Sequence, residues 1–240
     1  AHPDQPALIH VSTETGKEQV LSFGQLHVEV QRMAAVLQSM GVSKGDRVLI
    51  YMPMIPQAVI AMLATVRIGA IHCVVFGGFA SQALASRIDD ACPTVIVTAD
   101  AGSRGGKVIP YKPLLDEALK LSTHKVSHVV LVNRGLAPAE MITPRDVDYA
   151  LARKLHMDAM VPCEWVESTH PSYILYTSGT TGKPKGVQRD TGGYAVALAA
   201  SMEHIYQGKS GETFFSASDS GWVVGHSYIG YGPLLAGMST

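Results

Sequence analysis

Residues 47–76 read RVLIYMPMIPQAVIAMLATVRIGAIHCVVF, and their pattern decides the fold. Arg47 to Tyr51 is a short, continuously apolar run of the kind a strand shows when both its faces are covered. Gln57 to Ile68 follows as a helix-length apolar stretch closed by Gly69, and Ile71 to Phe76 is again strand-like. A buried strand, a helix and a second buried strand form a βαβ unit, which requires a parallel pair.

The alternation extends both ways. Downstream, Ser81 to Asp90 reads as a helix, Thr94 to Thr98 as a strand, Leu114 to Leu121 as a helix and His128 to Asn133 as a strand. Upstream, Ala7 to Val11 and Gln19 to Phe23 form β-like runs joined across Glu14-Thr15-Gly16-Lys17, a hairpin pattern. Ser22 and Gln25 have capping-box spacing, and Leu26, Val30, Met33, Leu37 and Met40 keep the helical period until Gly41. The expected fold class is α/β, with mainly parallel sheets flanked by helices. Arg134 to Ser168 carries Pro138, Pro144 and Pro162 and more charge, with a short helix expected near Asp148 to Leu155. We expect a first subdomain over 1–134, a connection over 135–171, and a second unit over 172–240. That unit would open with a strand at Ser172 to Tyr176, then a helix near Tyr194 to Ile205 and a strand at Glu212 to Ala217.

Composition excludes several classes. Of 240 residues, 47% are hydrophobic and 16% charged, with net charge −1, so no bulk field draws the chain to nucleic acid or to an anionic membrane. Phosphate recognition must then be local. The three cysteines, Cys73, Cys92 and Cys163, are odd in number and widely spaced, which suits a reducing, cytoplasmic setting. No signal-peptide pattern opens the chain, and its apolar stretches break well before membrane-spanning length. His124 and His128 lie four apart, as helical metal ligands can, but the bland surface pair is the expected reading. The first residue is not Met and the last are Met238-Ser239-Thr240, so the chain reads as a piece of something longer.

Tyr176-Thr177-Ser178-Gly179-Thr180-Thr181-Gly182-Lys183-Pro184-Lys185-Gly186-Val187 carries the chemistry. Three glycines let backbone N–H groups approach a ligand, four hydroxyls can bond phosphate oxygens, and two lysines add positive charge. It is not a Walker A loop, because only two residues separate Gly179 from Gly182, and Pro184 follows Lys183. A P-loop phosphotransferase is therefore disfavoured. Gly225-His226-Ser227-Tyr228-Ile229-Gly230 misses the serine-elbow spacing by one residue, which disfavours a serine hydrolase and leaves His226 as a buried core histidine.

The phosphate-loop segment resembles the signature of the adenylate-forming superfamily. Asp219-Ser220-Gly221-Trp222-Val223-Val224-Gly225-His226-Ser227-Tyr228, Phe76-Gly77-Gly78-Phe79 and Ala99-Asp100-Ala101-Gly102-Ser103-Arg104-Gly105-Gly106-Lys107 are similar to its acetyl- and propionyl-CoA synthetase branch. The resemblance implies part of the N-terminal domain of that fold and an AMP-forming acid–thiol ligase using ATP, Mg²⁺ and CoA. It implies phosphate binding by Thr177, Ser178, Gly179, Thr180, Thr181, Gly182 and Lys183, CoA binding by Gly77, Gly78, Arg104 and Lys107, and an acyl pocket at Trp222, Val223 and Val224. Val224 stands where the acetate-using members usually carry Thr, which points to propionate, with acetate as the alternative. The family's Mg²⁺-binding glutamate and catalytic lysine are expected beyond Thr240. The piece alone is thus expected to be inactive, a non-catalytic nucleotide- or CoA-binding fragment as it stands.

Overall fold

A computed structural model describes residues 2–177 and 184–240. The chain begins with β1 (Pro6–Val11) and β2 (Glu18–Ser22), an antiparallel hairpin. Then comes α1 (Phe23–Ser39), whose capping box is complete: Ser22 Oγ accepts from the Gln25 N–H, and Gln25 Oε1 accepts from the Ser22 N–H. Gly41, at φ +85°, closes the helix in a conformation that glycine adopts without strain.

The expected alternation follows as β3 (Arg47–Tyr51), α2 (Pro56–Arg67), β4 (Ile71–Val74), α3 (Ser81–Ala91) and β5 (Val95–Ala99). A small hairpin of β6 (Gly102–Arg104) and β7 (Lys107–Ile109) precedes α4 (Tyr111–Leu121), β8 (His128–Val132), β9 (Asp146–Asp148) and α5 (Tyr149–Leu155). The rest comprises β10 (Pro171–Thr177), β11 (Lys185–Asp190) and α6 (Thr191–Ala200), which runs into a π-helical turn at Ser201–Ile205. After an irregular stretch come α7 (Val223–Gly225), a second π-helical turn at His226–Tyr231, and α8 (Gly232–Leu235).

Seven strands form one sheet in the order β11-β10-β4-β3-β5-β8-β9, parallel throughout except for the β10–β11 pair. Val48, Leu49, Ile50, Val95, Ile96, Val97, Val129 and Val130 are fully buried, which is why these strands read as unbroken apolar runs. The α/β class and the mainly parallel sheet are as expected.

Three features differ. The strand expected to open a second unit, β10, pairs in parallel with β4 through Tyr173–His72 and Ile174–Cys73, so it extends the first sheet. Glu212 to Ala217 makes only a bridge, Thr213 to Ser239, since few of its backbone groups find a partner strand. Strands β9 and β11 were not expected: one is three residues long with two aspartates, the other is a polar edge, and neither carries an apolar run. The helical spacing of His124 and His128 is not realised. His124 sits in a loop with Nε2 against the Pro93 carbonyl at 2.9 Å, and His128 opens β8.

Candidate active site

The chain steps from β3 to β4 on one side and then crosses to β5 on the other, so connections leave the middle of the sheet in opposite directions. Such a switch point opens a crevice outside the carboxyl ends of the strands, where open α/β sheets bind ligands. A cavity of about 370 Å³ lies there. Pro53 and Met54 after β3, Phe76 to Gly78 after β4, and Ser103 and Arg104 after β5 line it, with Asp219 across.

The two glycines are there for room. A Cβ on Gly77 would fall 2.2 Å from Tyr111 Oη, and one on Gly78 would fall 2.6 Å from Arg104 Nη1. Tyr111 and Tyr51 pack as a pair with ring centroids 4.9 Å apart, and the Tyr51 hydroxyl donates to the Phe79 carbonyl at 3.0 Å. Burial pushes the Tyr111 phenol up to about 12, so it stays neutral beside the cavity. Arg104 is exposed, with its guanidinium 5.4 Å from the Phe76 ring centroid. Lys107 pairs with Arg104 across the Gly105–Gly106 turn, in which both glycines have positive φ. Of the four expected CoA contacts, Gly77, Gly78 and Arg104 line the cavity, and Lys107 stands exposed on the neighbouring strand.

Sequence reasoning assigned no role to Asp219, Glu14 or Tyr111. Burial pushes the Asp219 carboxyl up, against the Gly221 N–H at 2.7 Å and the charge of Arg104, which favour its ionised form. Glu14, in the β1–β2 connection, accepts from the Ser103 N–H and from Arg134. Arg134 also donates to the Ala101 carbonyl at 3.0 Å, so the hairpin carrying Arg104 is tied down from two sides. The signal for Asp219 lay in its own motif; Glu14 and Tyr111 reach the site through contacts distant in sequence.

Trp222, Val223 and Val224 are 49%, 52% and 50% exposed, so none is a core residue. Trp222 lies against Phe76, centroids 5.4 Å apart, which places it beside the cavity. Val223 faces a second cavity of about 290 Å³ with Tyr173, Tyr194 and Tyr228. His226 is fully buried, as expected. Its Nδ1 lies 3.0 Å from the Ser220 carbonyl, and burial drives its pKa down to about 4, so it is neutral near pH 7. Ser227 Oγ accepts from the Tyr194 hydroxyl at 2.9 Å and is spent on packing.

Thr177 ends β10 at the same edge of the sheet, exposed. Ser178, Gly179, Thr180, Thr181, Gly182 and Lys183 lie outside the described residues. Their flanks pair as neighbours, Thr177 with Lys185 and Tyr176 with Gly186.

All of residues 1–240 match the family model described as AMP-binding enzyme. The chain belongs to the AMP-binding enzyme family. It is 63% identical over 238 residues to the propionate–CoA ligase of Escherichia coli (strain K12), covering 99% of this chain and 38% of that protein. It is 50% identical over 240 residues to the mitochondrial acyl-CoA synthetase short-chain family member 3 of Homo sapiens, at 99% and 34% coverage. Among solved structures, the acetoacetyl-CoA synthetase from Streptomyces lividans superposes with a TM-score of 0.89 at 30% identity, over 99% of this chain and 35% of that one. The chain thus spans little more than a third of the length of the curated relatives it matches.

Chemically, the chain offers an exposed guanidinium, a glycine-lined approach and a neighbouring aromatic wall in one crevice, next to the strand from which the hydroxyl- and lysine-rich run departs. Those are parts for holding phosphates and a small apolar group side by side. Among the described residues no three His, Cys, Asp or Glu side chains gather as a metal site.

Proposed function

We propose that the protein acts as an AMP-forming acid–thiol ligase for propionate. Propionate attacks the α-phosphate of ATP to give propionyl-adenylate and pyrophosphate, and the CoA thiol then displaces AMP to give propionyl-CoA. The observation that carries this reading is the crevice at the switch point: Gly77, Gly78 and Arg104 sit beside Trp222 through Phe76, at the edge from which residues 178–183 leave β10. The 63% identity to a propionate–CoA ligase supports it. In this reading Thr177 to Lys183 hold the β- and γ-phosphates, whose charge grows as pyrophosphate departs. Arg104 forks onto a CoA phosphate, with Lys107 adding charge from outside the cavity. Mg²⁺ would share the phosphate charge, held by residues other than those described. No helix among the described residues is long and apolar enough to cross a membrane. The free cysteines favour the cytoplasm.

Incubating the intact protein with propionate, ATP and CoA is expected to yield propionyl-CoA, AMP and pyrophosphate in equal amounts. Formation of ADP and phosphate, or turnover that ignores CoA, would sink the proposal.

Val224 is proposed to set acyl size. Val224→Thr is expected to lower the propionate-to-acetate ratio of kcat/KM by about tenfold, with about 200-fold as the ceiling, since one methylene is worth only about 1–3 kcal/mol. The half-exposed position leaves the fold insensitive to this change. An equal effect on both acids removes Val224 from the pocket.

A further inference from the structure

Arg87 lies in α3 with only 7% of its surface exposed. One of its hydrogen bonds goes from Nη1 to the Ala83 carbonyl in its own helix, at 2.6 Å, and its Nε has no partner. Among the described residues no carboxylate stands within ion-pair distance of it. Burying a cation so sparsely satisfied is costly, and arginines ordinarily bring the charged end to water.

What Arg87 touches instead is two aromatic rings. Its Cζ is 4.2 Å from the Phe79 centroid and 5.3 Å from that of Tyr176. The rings belong to different parts of the proposed machinery. Phe79 closes the Phe76-Gly77-Gly78-Phe79 turn that lines the crevice, and its carbonyl is the one held by Tyr51. Tyr176 precedes Thr177 on β10, at the root of the phosphate-binding run. One turn further along α3, Asp90 Oδ2 accepts the Tyr176 hydroxyl at 2.5 Å. A planar guanidinium can stack against two rings, which an ammonium cannot do, and this gives a reason for arginine at a buried position.

We infer that Arg87 is a positioning residue for both half-reactions, a plate between Phe79 and Tyr176 that fixes the CoA-side turn relative to the root of the phosphate run. This rests on the ligase reading above. The residue touches no substrate; it acts through the two rings and the backbones that carry them.

The test uses the intact protein and two assays: propionate-dependent ATP–pyrophosphate exchange without CoA, and the complete reaction with CoA varied. Arg87→Met keeps most of the stem and removes the plate. It is expected to raise the KM for ATP in exchange and the KM for CoA in the complete reaction, each about tenfold. Arg87→Lys, with charge but no plane, should recover less than half of either loss. Phe79→Leu gives a second reading should Arg87→Met not fold: it lies on the CoA side, yet is expected to raise the KM for ATP in exchange, where no CoA is present. A lowered melting temperature with both KM values unchanged makes Arg87 merely structural and overturns the inference. So does a shift in one KM alone, or an ATP KM indifferent to Phe79→Leu. Loss of exchange in the wild type would instead strike at the ligase reading.

Discussion

Lys183→Ala in the intact protein is expected to slow propionate-dependent ATP–pyrophosphate exchange by about 10²–10³-fold, while Arg104→Ala leaves it within about twofold of wild type. The contrast follows from which phosphates each residue meets. In the proposed reading Lys183 belongs to the run that holds the β- and γ-phosphates, so the charge of the departing pyrophosphate would grow beside it as propionate attacks. A cation aimed at that charge contributes more in the transition state than in the ground state, so its loss falls on kcat. Arg104 faces the crevice under Gly78 and beside Phe76, and in this reading it meets CoA only after the adenylate exists. A well-formed charge-assisted bond to phosphate is worth about 1.5–3 kcal/mol. The exposure of Arg104 trims that, so the KM for CoA should rise about tenfold. General misfolding would damage both half-reactions in both variants, which the pairing controls. Exchange abolished by Arg104→Ala in a protein with native circular dichroism would move that arginine to the ATP side.

How much of this was legible in the sequence depended on where the determining contacts lie. β3, β4, β5 and β8 were legible because burial on both faces forces continuous apolar runs, and α1 because its cap and its apolar stripe are local. Gly77, Gly78 and Arg104 were legible through motif resemblance, and the fold places all three in one cavity. Lys107 shows the limit of that method: membership of a motif put it beside Arg104, and the β6–β7 register does pair the two, yet Lys107 is not among the residues that line the crevice. Glu14 and Tyr111 could not be found, since the first reaches the site from a hairpin turn and the second from the start of α4. The membership of β10 in the first sheet was equally hidden. It is decided by pairing with β4, a hundred residues earlier in the chain, and no local pattern reports which existing edge a new strand will join.

Strand β9 was hidden for a different reason: two of its three residues are aspartates, and one of them joins a buried ionic cluster whose loss is expected to have the largest effect on the fold. Lys112 Nζ is fully buried, 2.6 Å from Asp116 Oδ2 and 2.8 Å from Asp146 Oδ2. Asp146, also fully buried in its side chain, accepts from Arg145 Nε at 2.5 Å and from the Ile142 N–H at 2.9 Å. Removing one partner of a buried pair costs about 3–5 kcal/mol, because the other charge stays behind. Asp146→Ala should fall near the lower end, about 3 kcal/mol, since Asp116 still faces Lys112. Adding Lys112→Met should return part of that loss by removing a buried cation left with one carboxylate in place of two, a non-additivity that a simple packing defect would not show. The pH dependence has a defined sign. Burial alone pushes the Asp146 carboxyl up, but the hydrogen bonds from Arg145, Lys112 and the Ile142 N–H outweigh it, and the carboxyl titrates below its ordinary range. Its contribution is therefore fully present above the unfolded-state value of about 3.9 and is lost as pH falls through the folded-state value. In urea denaturation followed by circular dichroism, wild type and Asp146→Ala should differ by a constant amount from about pH 5 to 7 and converge in more acid solution. A gap that stays constant down to the acid transition, or one below about 1 kcal/mol at neutral pH, would show that β9 is held by packing and that the ionic cluster is incidental.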